Sequence, residues 1–129
     1  MFWEGKLLRK NICDSKLNTY LRIYNLVKQL GLRTSHTGTK LLVKAVLILI
    51  EQGIDFVVIE DIYSIISNEL QSISKSQVKY CIKYAIDNRQ EKQAIKNFEK
   101  IFGYEYAEDV FTNKELIEEI ARVILQEII

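Results

Sequence analysis

The chain has 129 residues, enough for one domain with a real core and too few for two ordinary ones. A hydrophobic share of 48% with a charged share of 27% excludes a disordered chain, and zero prolines with only five glycines favour helices over strands. The formal net charge is only +1, which argues against a protein coated in basic residues.

The distribution of charge says more than its sum. Residues 1–46 carry +7, 47–69 carry −5, 70–100 carry +4 and 101–129 carry −5. Such alternation suggests separate basic and acidic surfaces, and a basic surface built from 1–46 and 70–100 could face phosphates. The competing reading is that the blocks neutralise one another within the fold or across a dimer. The two cysteines, Cys13 and Cys81, form no CxxC and no disulfide framework, which fits a reducing cytoplasm. Leu41 to Ile50 is apolar but broken by Lys44, well short of the roughly 18 apolar residues of a membrane span, so no membrane partner is expected. The opening MFWEGKLLRK has no signal-peptide layout.

In chain order, residues 1–14 read as an N-terminal tail or arm, with Phe2, Trp3, Leu7 and Leu8 set among basic residues. Residues 15–129 read as a single helical domain. Ser15 is the expected N-cap of a first long helix with Leu17, Tyr20, Leu21, Tyr24, Val27 and Leu30 as its stripe and Gly31 as its stop. Thr37 or Thr39 is expected to cap a second helix ending at Gln52 before Gly53. The breadth of its apolar face (Leu41, Leu42, Ala45, Val46, Leu49, Ile50) marks it as the central helix. Ile54 to Ile59 is strand-like by propensity, but no partner strand exists, so it reads as the approach to the next helix.

Ile59 to Arg89 then reads as two helices broken by the turn Gln71-Ser72-Ile73. Ser74 and Gln77 have capping-box spacing. At about 100° per residue, Val78, Cys81, Ile82, Ala85 and Ile86 share the inner side of the second helix. Ser76, Lys79, Tyr80, Lys83, Tyr84 and Asp87 share the outer side. This is the layout of a helix-turn-helix, whose second helix meets DNA base edges. The competing reading is an ordinary amphipathic pair with a solvated outer face. Gln90 to Phe102 is a further helix, with Ala94, Ile95, Phe98, Ile101 and Phe102 inward and Lys92, Lys96 and Lys100 along one edge. Gly103 ends it, and Tyr104 to Val110 is an acidic aromatic loop. Thr112 and Glu115 form a second capping box. It opens a last helix with Leu116, Ile117, Ile120, Ala121, Ile124 and Ile128 inward. Val123, Leu125 and Ile129 make that helix apolar on more than one side, which hints at another subunit. The expectation is an all-α bundle of five to six helices containing a helix-turn-helix.

Catalytic chemistry finds little support. The only histidine, His36, stands in a Ser/Thr/Gly-rich connection with no carboxylate beside it, and GLRTSHTG lacks the lysine of a phosphate-binding P-loop. No His, Cys or carboxylate spacing suits a metal. Adjacent acid pairs such as Glu118-Glu119 point apart on a helix. No enzyme, cofactor, metal or small-molecule substrate is expected.

Several stretches resemble the C-terminal effector domain of the stage-zero sporulation master response regulator of endospore-forming bacteria. They are LGLRTSHTGTKLLVKAV (30–46), IYSIISNEL (62–70), SQVKYCIKYAI (76–86), IFGY (101–104) and TNKELIEEIA (112–121), in the family's order and near its spacing. Each motif is weak alone; five in order are fairly specific. The resemblance implies a six-helix domain whose helix-turn-helix binds short promoter boxes on double-stranded DNA, often as tandem copies; tandem binding or a homodimer is the expected arrangement on DNA. In the full regulator a receiver domain precedes it. Only about fourteen residues precede the match here, so the expectation is an effector acting without an attached receiver. The family's recognition helix is rich in Arg and Glu where this chain has Gln77, Lys79, Tyr80 and Lys83. Arginine reads guanine with a rigid two-pronged donor set, so the box is expected to differ and the discrimination to be looser.

The residues expected to contact bases or nearby phosphates are Ser76, Gln77, Lys79, Tyr80 and Lys83. Lys75, His36, Thr37 and Lys40 are expected to hold phosphates from helix N-termini. The rival is a protein-interaction module with little DNA affinity, a relic effector domain that pairs with a regulator or polymerase through its apolar last helix and its aromatic N-terminus.

Overall fold

The computed structural model describes the backbone of residues 2–128 and the side chains of residues 16–127. Six α-helices and one short 3-10 turn follow in order: α1 (Phe2–Gln29), α2 (Thr37–Gln52), α3 (Ile59–Leu70), α4 (Lys75–Asp87), α5 (Glu91–Phe102), the turn Glu108–Val110, and α6 (Asn113–Ile128). There is no strand among the described residues, so the all-α expectation holds; Ile54 to Phe56 is a turn, and Val58 is the extended N-cap of α3.

Apolar breadth explains why α2 is central. It buries Leu41, Leu42, Val43, Ala45, Val46, Ile48 and Leu49, more than one face's worth, and packs against α1, α3, α4 and α6. The core collects one stripe from each surrounding helix: Ile23, Leu26, Val27 and Leu30 from α1, Ile62, Tyr63 and Ile66 from α3, Ala94 and Phe98 from α5. From α6 come Leu116, Ile117, Ile120, Ala121 and Ile124. Phe98 is the hub of an aromatic cluster, with ring centroids of Phe102, Tyr104, Tyr106 and Phe111 at 4.8, 5.4, 5.2 and 5.8 Å. Offset and edge-on ring pairs of this kind add to simple burial. Arg89 closes the cluster from above: its guanidinium lies 3.8 Å from the Phe111 centroid and donates to Tyr106 Oη and the Ile86 carbonyl.

Several expectations change. Ser15 does not start the first helix; α1 already runs through it from Phe2. The aromatic pair at Phe2 and Trp3, and Ile128 and Ile129 at the other end, lie outside the described side chains. Neither Thr37 nor Thr39 caps α2. The N-cap is His36, without a side-chain bond, and Thr39 is fully buried with its hydroxyl donating back to the Arg33 carbonyl at 2.6 Å. Ile95 is half exposed, because α5 buries only the narrow row Ala94, Phe98 and Phe102. Val123 is buried within the chain's own core and Leu125 is partly covered. That removes much of the second apolar side expected on α6.

The helix-turn-helix is α3 and α4. Its turn is built from side chains that replace missing backbone partners. Gln71 takes the left-handed conformation (φ 58°), the only non-glycine to do so among the described residues, and its N–H donates to the Ser67 carbonyl. Ser67 Oγ donates to the Ile73 carbonyl at 2.6 Å. Ser74 then starts α4 with both halves of a capping box: the Gln77 N–H donates to Ser74 Oγ at 3.2 Å, and the Ser74 N–H donates to Gln77 Oε1 at 2.7 Å.

Candidate nucleic-acid interface

The orientation of α4 follows from its buried row. Val78, Ile82, Ala85 and Ile86 are essentially fully covered, so the opposite side must point outward. Ser76, Lys79, Tyr80, Lys83, Tyr84 and Asp87 are all exposed, Tyr80 by 66% and Tyr84 by 47%. No helix covers them among the described residues. Cys81, expected inside, is only half-buried, at the shoulder where the backbone of α2 crosses α4.

Gly38 makes that crossing. An alanine Cβ at this position would stand 1.8 Å from the Cys81 carbonyl oxygen and 3.0 Å from Ala85 Cβ. Only a residue without a side chain lets the first turn of α2 lie on the backbone of α4. This close approach brings the second group of expected residues to the first. His36 meets Tyr84 edge-on with centroids 5.2 Å apart, and Tyr84 stands 6.3 Å from Tyr80. The result is a row of three rings from the middle of α4 to the N-terminus of α2. Thr37 and Lys40 are exposed beside it.

Charge is distributed less freely than the sequence suggested. Lys75 and Lys79 both reach Glu60 in the first turn of α3, at 3.2 and 3.4 Å, and Lys83 reaches Asp87 at 2.6 Å. The hydrogen bond from Lys75 is the main reason the Glu60 carboxyl sits below the usual carboxylate range; desolvation opposes it and Lys79 adds to it. All these groups are well exposed, so the pairs are weak, salt-sensitive and exchangeable for phosphate. Gln77 has its side-chain oxygen committed to the capping box, which leaves the amide NH2 for any outside partner. Buried behind α4, the Tyr63 hydroxyl is pushed above its ordinary pKa by burial, while its hydrogen bond with Asn113 acts the other way. Asn113 also donates to the Lys79 carbonyl at 3.0 Å, so α6 braces the middle of α4.

The expected residues therefore fall into two adjacent groups: Lys75, Ser76, Gln77, Lys79, Tyr80 and Lys83 on α4, and His36, Thr37 and Lys40 at the start of α2. Sequence reasoning placed Tyr84 on the outer face but did not include it in the site, although it joins the two groups. It missed Glu60 altogether. An acid fifteen residues ahead of Lys75 carries no local signal of its partner.

Such an arrangement can place an exposed helix bearing aromatic and cationic groups against a grooved polyanion. Among the described residues no three His, Cys, Asp or Glu side chains gather to hold a metal ion, and no helix is long and apolar enough to cross a membrane. No curated protein and no solved structure matches the chain. A family model does: the one described as "Sporulation initiation factor Spo0A C terminal" matches residues 23–124, from inside α1 to inside α6. That family is one of DNA-binding regulator domains rather than enzymes. With most of its length matched and every helix of the site inside the match, the chain belongs to the family of the sporulation initiation factor C-terminal domain.

Proposed function

We propose that this protein is a cytoplasmic, sequence-specific regulator of transcription that lays α4 in the major groove of a promoter box. The observation that carries the reading is the outward, uncovered face of α4, with Tyr80 and Lys83 near its middle and Ser76 and Gln77 in its first turn. In this reading Ser76, Gln77, Tyr80 and Lys83 meet base edges, and Lys79 reaches a base or a nearby phosphate. Lys75, Thr37, His36 and Lys40 hold the flanking backbone from two helix N-termini. No arginine faces outward from α4, so guanine is not read by a bidentate fork. Tandem or dimeric binding on the DNA belongs to the same proposal.

The test is selection of duplex DNA from a random pool, followed by binding of the best site and a scrambled site across salt. Affinity should fall steeply with salt. Lys79→Ala with Lys83→Ala should abolish the preference for the best site. Retention of that preference by the double variant refutes the assignment of these residues.

A further inference from the structure

A second concave surface lies beyond the ring row. It is a cleft of about 560 Å³ between the end of α1, the α1–α2 connection and the start of α5. Arg22, Lys28 and Arg33 line it with Thr34, Ser35 and Gln93, and among the described residues no carboxylate does. Arg22 is held by Glu127 at 2.6 Å, but neither Lys28 nor Arg33 pairs with an acid among the described residues. The contrast with the groove on the other side of α4 is informative. There Lys79, Lys83 and Lys114 share the lining with Asp55, Glu60, Asp87 and Glu118, so carboxylates outnumber cations four to three.

The cleft is also built firmly. Gln90 N–H donates to the Gly31 carbonyl at 2.8 Å, and a Cβ on Gly31 would stand 2.5 Å from the Gln90 oxygen, so the two connections lie backbone on backbone. Gly31 has φ +91°, which glycine alone adopts at low cost. The exposed carbonyls at the C-terminus of α1 would repel an anion, but side-chain amides occupy two of them. Gln93 Nε2 donates to the Lys28 carbonyl at 3.3 Å and Asn97 Nδ2 to the Gln29 carbonyl at 2.8 Å. Arg33 Nε reaches the Asn88 carbonyl at 3.5 Å, just past the end of α4, which leaves its two terminal NH2 groups to face the cleft. Tyr84 meets His36 edge-on, and the His36 N–H donates to the Arg33 carbonyl at 3.2 Å, which links the outer face of α4 to the cleft.

We infer that this cleft is a further phosphate site that clamps the DNA backbone where it leaves the C-terminal end of α4. Arg33 and Lys28 supply the charge, and Thr34 and Ser35 supply hydroxyl donors. The inference rests on the proposed function, since the phosphodiesters are those of the duplex bound by α4. Sitting away from the base-reading face, the clamp adds affinity equally to every sequence.

The test compares the full chain with Lys28→Gln/Arg33→Gln on the best site and on a scrambled site. Both side chains are exposed, and the circular dichroism and melting of the variant should match the parent. Losing two phosphate contacts should flatten the slope of log K against log salt by roughly 1.8, about 0.9 per contact. The ratio of best to scrambled affinity should stay unchanged. A slope equal to the parent's overturns the clamp and leaves the proposed function standing. So does an equal loss from Lys92→Gln/Lys96→Gln on the outside of α5, which would mark a mere net-charge effect. A saturable heat on titrating inorganic phosphate into the DNA-free chain, abolished by the double variant without a change of slope, would assign the cleft to free phosphate and overturn the DNA clamp. A parent chain that binds no duplex overturns the proposed function and this inference together.

Discussion

Gly38→Ala tests whether the approach of α2 to α4 is what positions the exposed face. On an isolated helix the change stabilises, by up to about 1 kcal/mol, because alanine is the better helix former. Here the added methyl meets the Cys81 carbonyl oxygen at 1.8 Å and its carbon at 2.4 Å. Both atoms are backbone and cannot swing aside. Restoring ordinary contact of 3.4 Å or more needs α2 and α4 to part by about 1.6 Å along a seam that carries Leu42, Ala45, Val46, Val78, Ile82 and Ala85, all fully buried. Overpacking of this kind costs about 1–3 kcal/mol and sometimes more. With propensity offsetting part of it, a net loss of about 2 kcal/mol is expected. With a urea m-value of about 2 kcal/mol/M, the unfolding midpoint should fall by about 1 M. Gly103→Ala is the control. Its φ, unlike that of Gly38, is positive, at +84°, and nothing lies within 4 Å of the added Cβ, so only backbone strain of about 1–2 kcal/mol applies. The distinguishing readout is therefore binding. Gly38→Ala should also weaken DNA binding at a temperature where it is fully folded, because His36 and Lys40 move away from Tyr80 and Tyr84. A midpoint at or above the parent's for Gly38→Ala, the response of a solvated helix glycine, would refute the reasoning.

Three further outcomes follow from single contacts. Ser74→Ala removes the oxygen that accepts from the Gln77 N–H and should cost about 1 kcal/mol by urea unfolding, while Ser74→Asp should keep most of that stability. Glu60→Gln removes the acid that Lys75 and Lys79 share, so the affinity for duplex DNA should rise at low salt and converge on the parent's at high salt; an affinity below the parent's at low salt would show that Glu60 orients the lysines instead of competing for them. The Arg22 hydrogen bond, opposed by desolvation, holds the Glu127 carboxyl below its usual range. A depressed carboxylate stabilises the fold above its unfolded pKa of about 4.3, and that contribution is lost as pH falls through the lower folded value. Melting temperature measured below about pH 4.5 should accordingly fall less steeply in Glu127→Gln than in the parent.

How much of this could be seen in the residues alone depends on the range over which each cause acts. The capping box at Ser74 and Gln77 spans one turn and forms as spaced. Gly31, Gly53 and Gly103, expected as helix stops, all take positive φ. The inner row of α4 is right at Val78, Ile82, Ala85 and Ile86, since period fixes a face regardless of what covers it. Failures begin where the covering partner decides. Ile95 fits a helical period as well as Ala94 does, yet α5 touches its neighbours along too narrow a line to hide both. Val123 reads as a second apolar side only until α6 is seated, and then it is core. Ser15 has the chemistry of a cap, but nothing before it breaks the helix, which is all a cap residue needs to become an ordinary helical serine.

The site divides along the same line, and this bears on how its chemistry should be judged. Which α4 side chains point outward is a property of the helix and was legible. How much of their charge is available to a ligand is a property of the crossing angles. Glu60 reaches Lys75 and Lys79 because α3 begins beside α4, and Asp87 reaches Lys83 because one helical turn separates them. Only the second of these is written in the spacing. The positive blocks at 1–46 and 70–100 are therefore not equivalent reservoirs of phosphate-binding charge. The lysines of α4 are answered by carboxylates from α3 and from α4 itself, whereas Lys28, Arg33 and Lys40 meet none among the described residues. On that ground the salt dependence of binding should arise more from the end of α1, the α1–α2 connection and the start of α2 than from the recognition helix. The outward side chains of α4, Lys79 and Lys83 among them, then serve chiefly to discriminate among sequences.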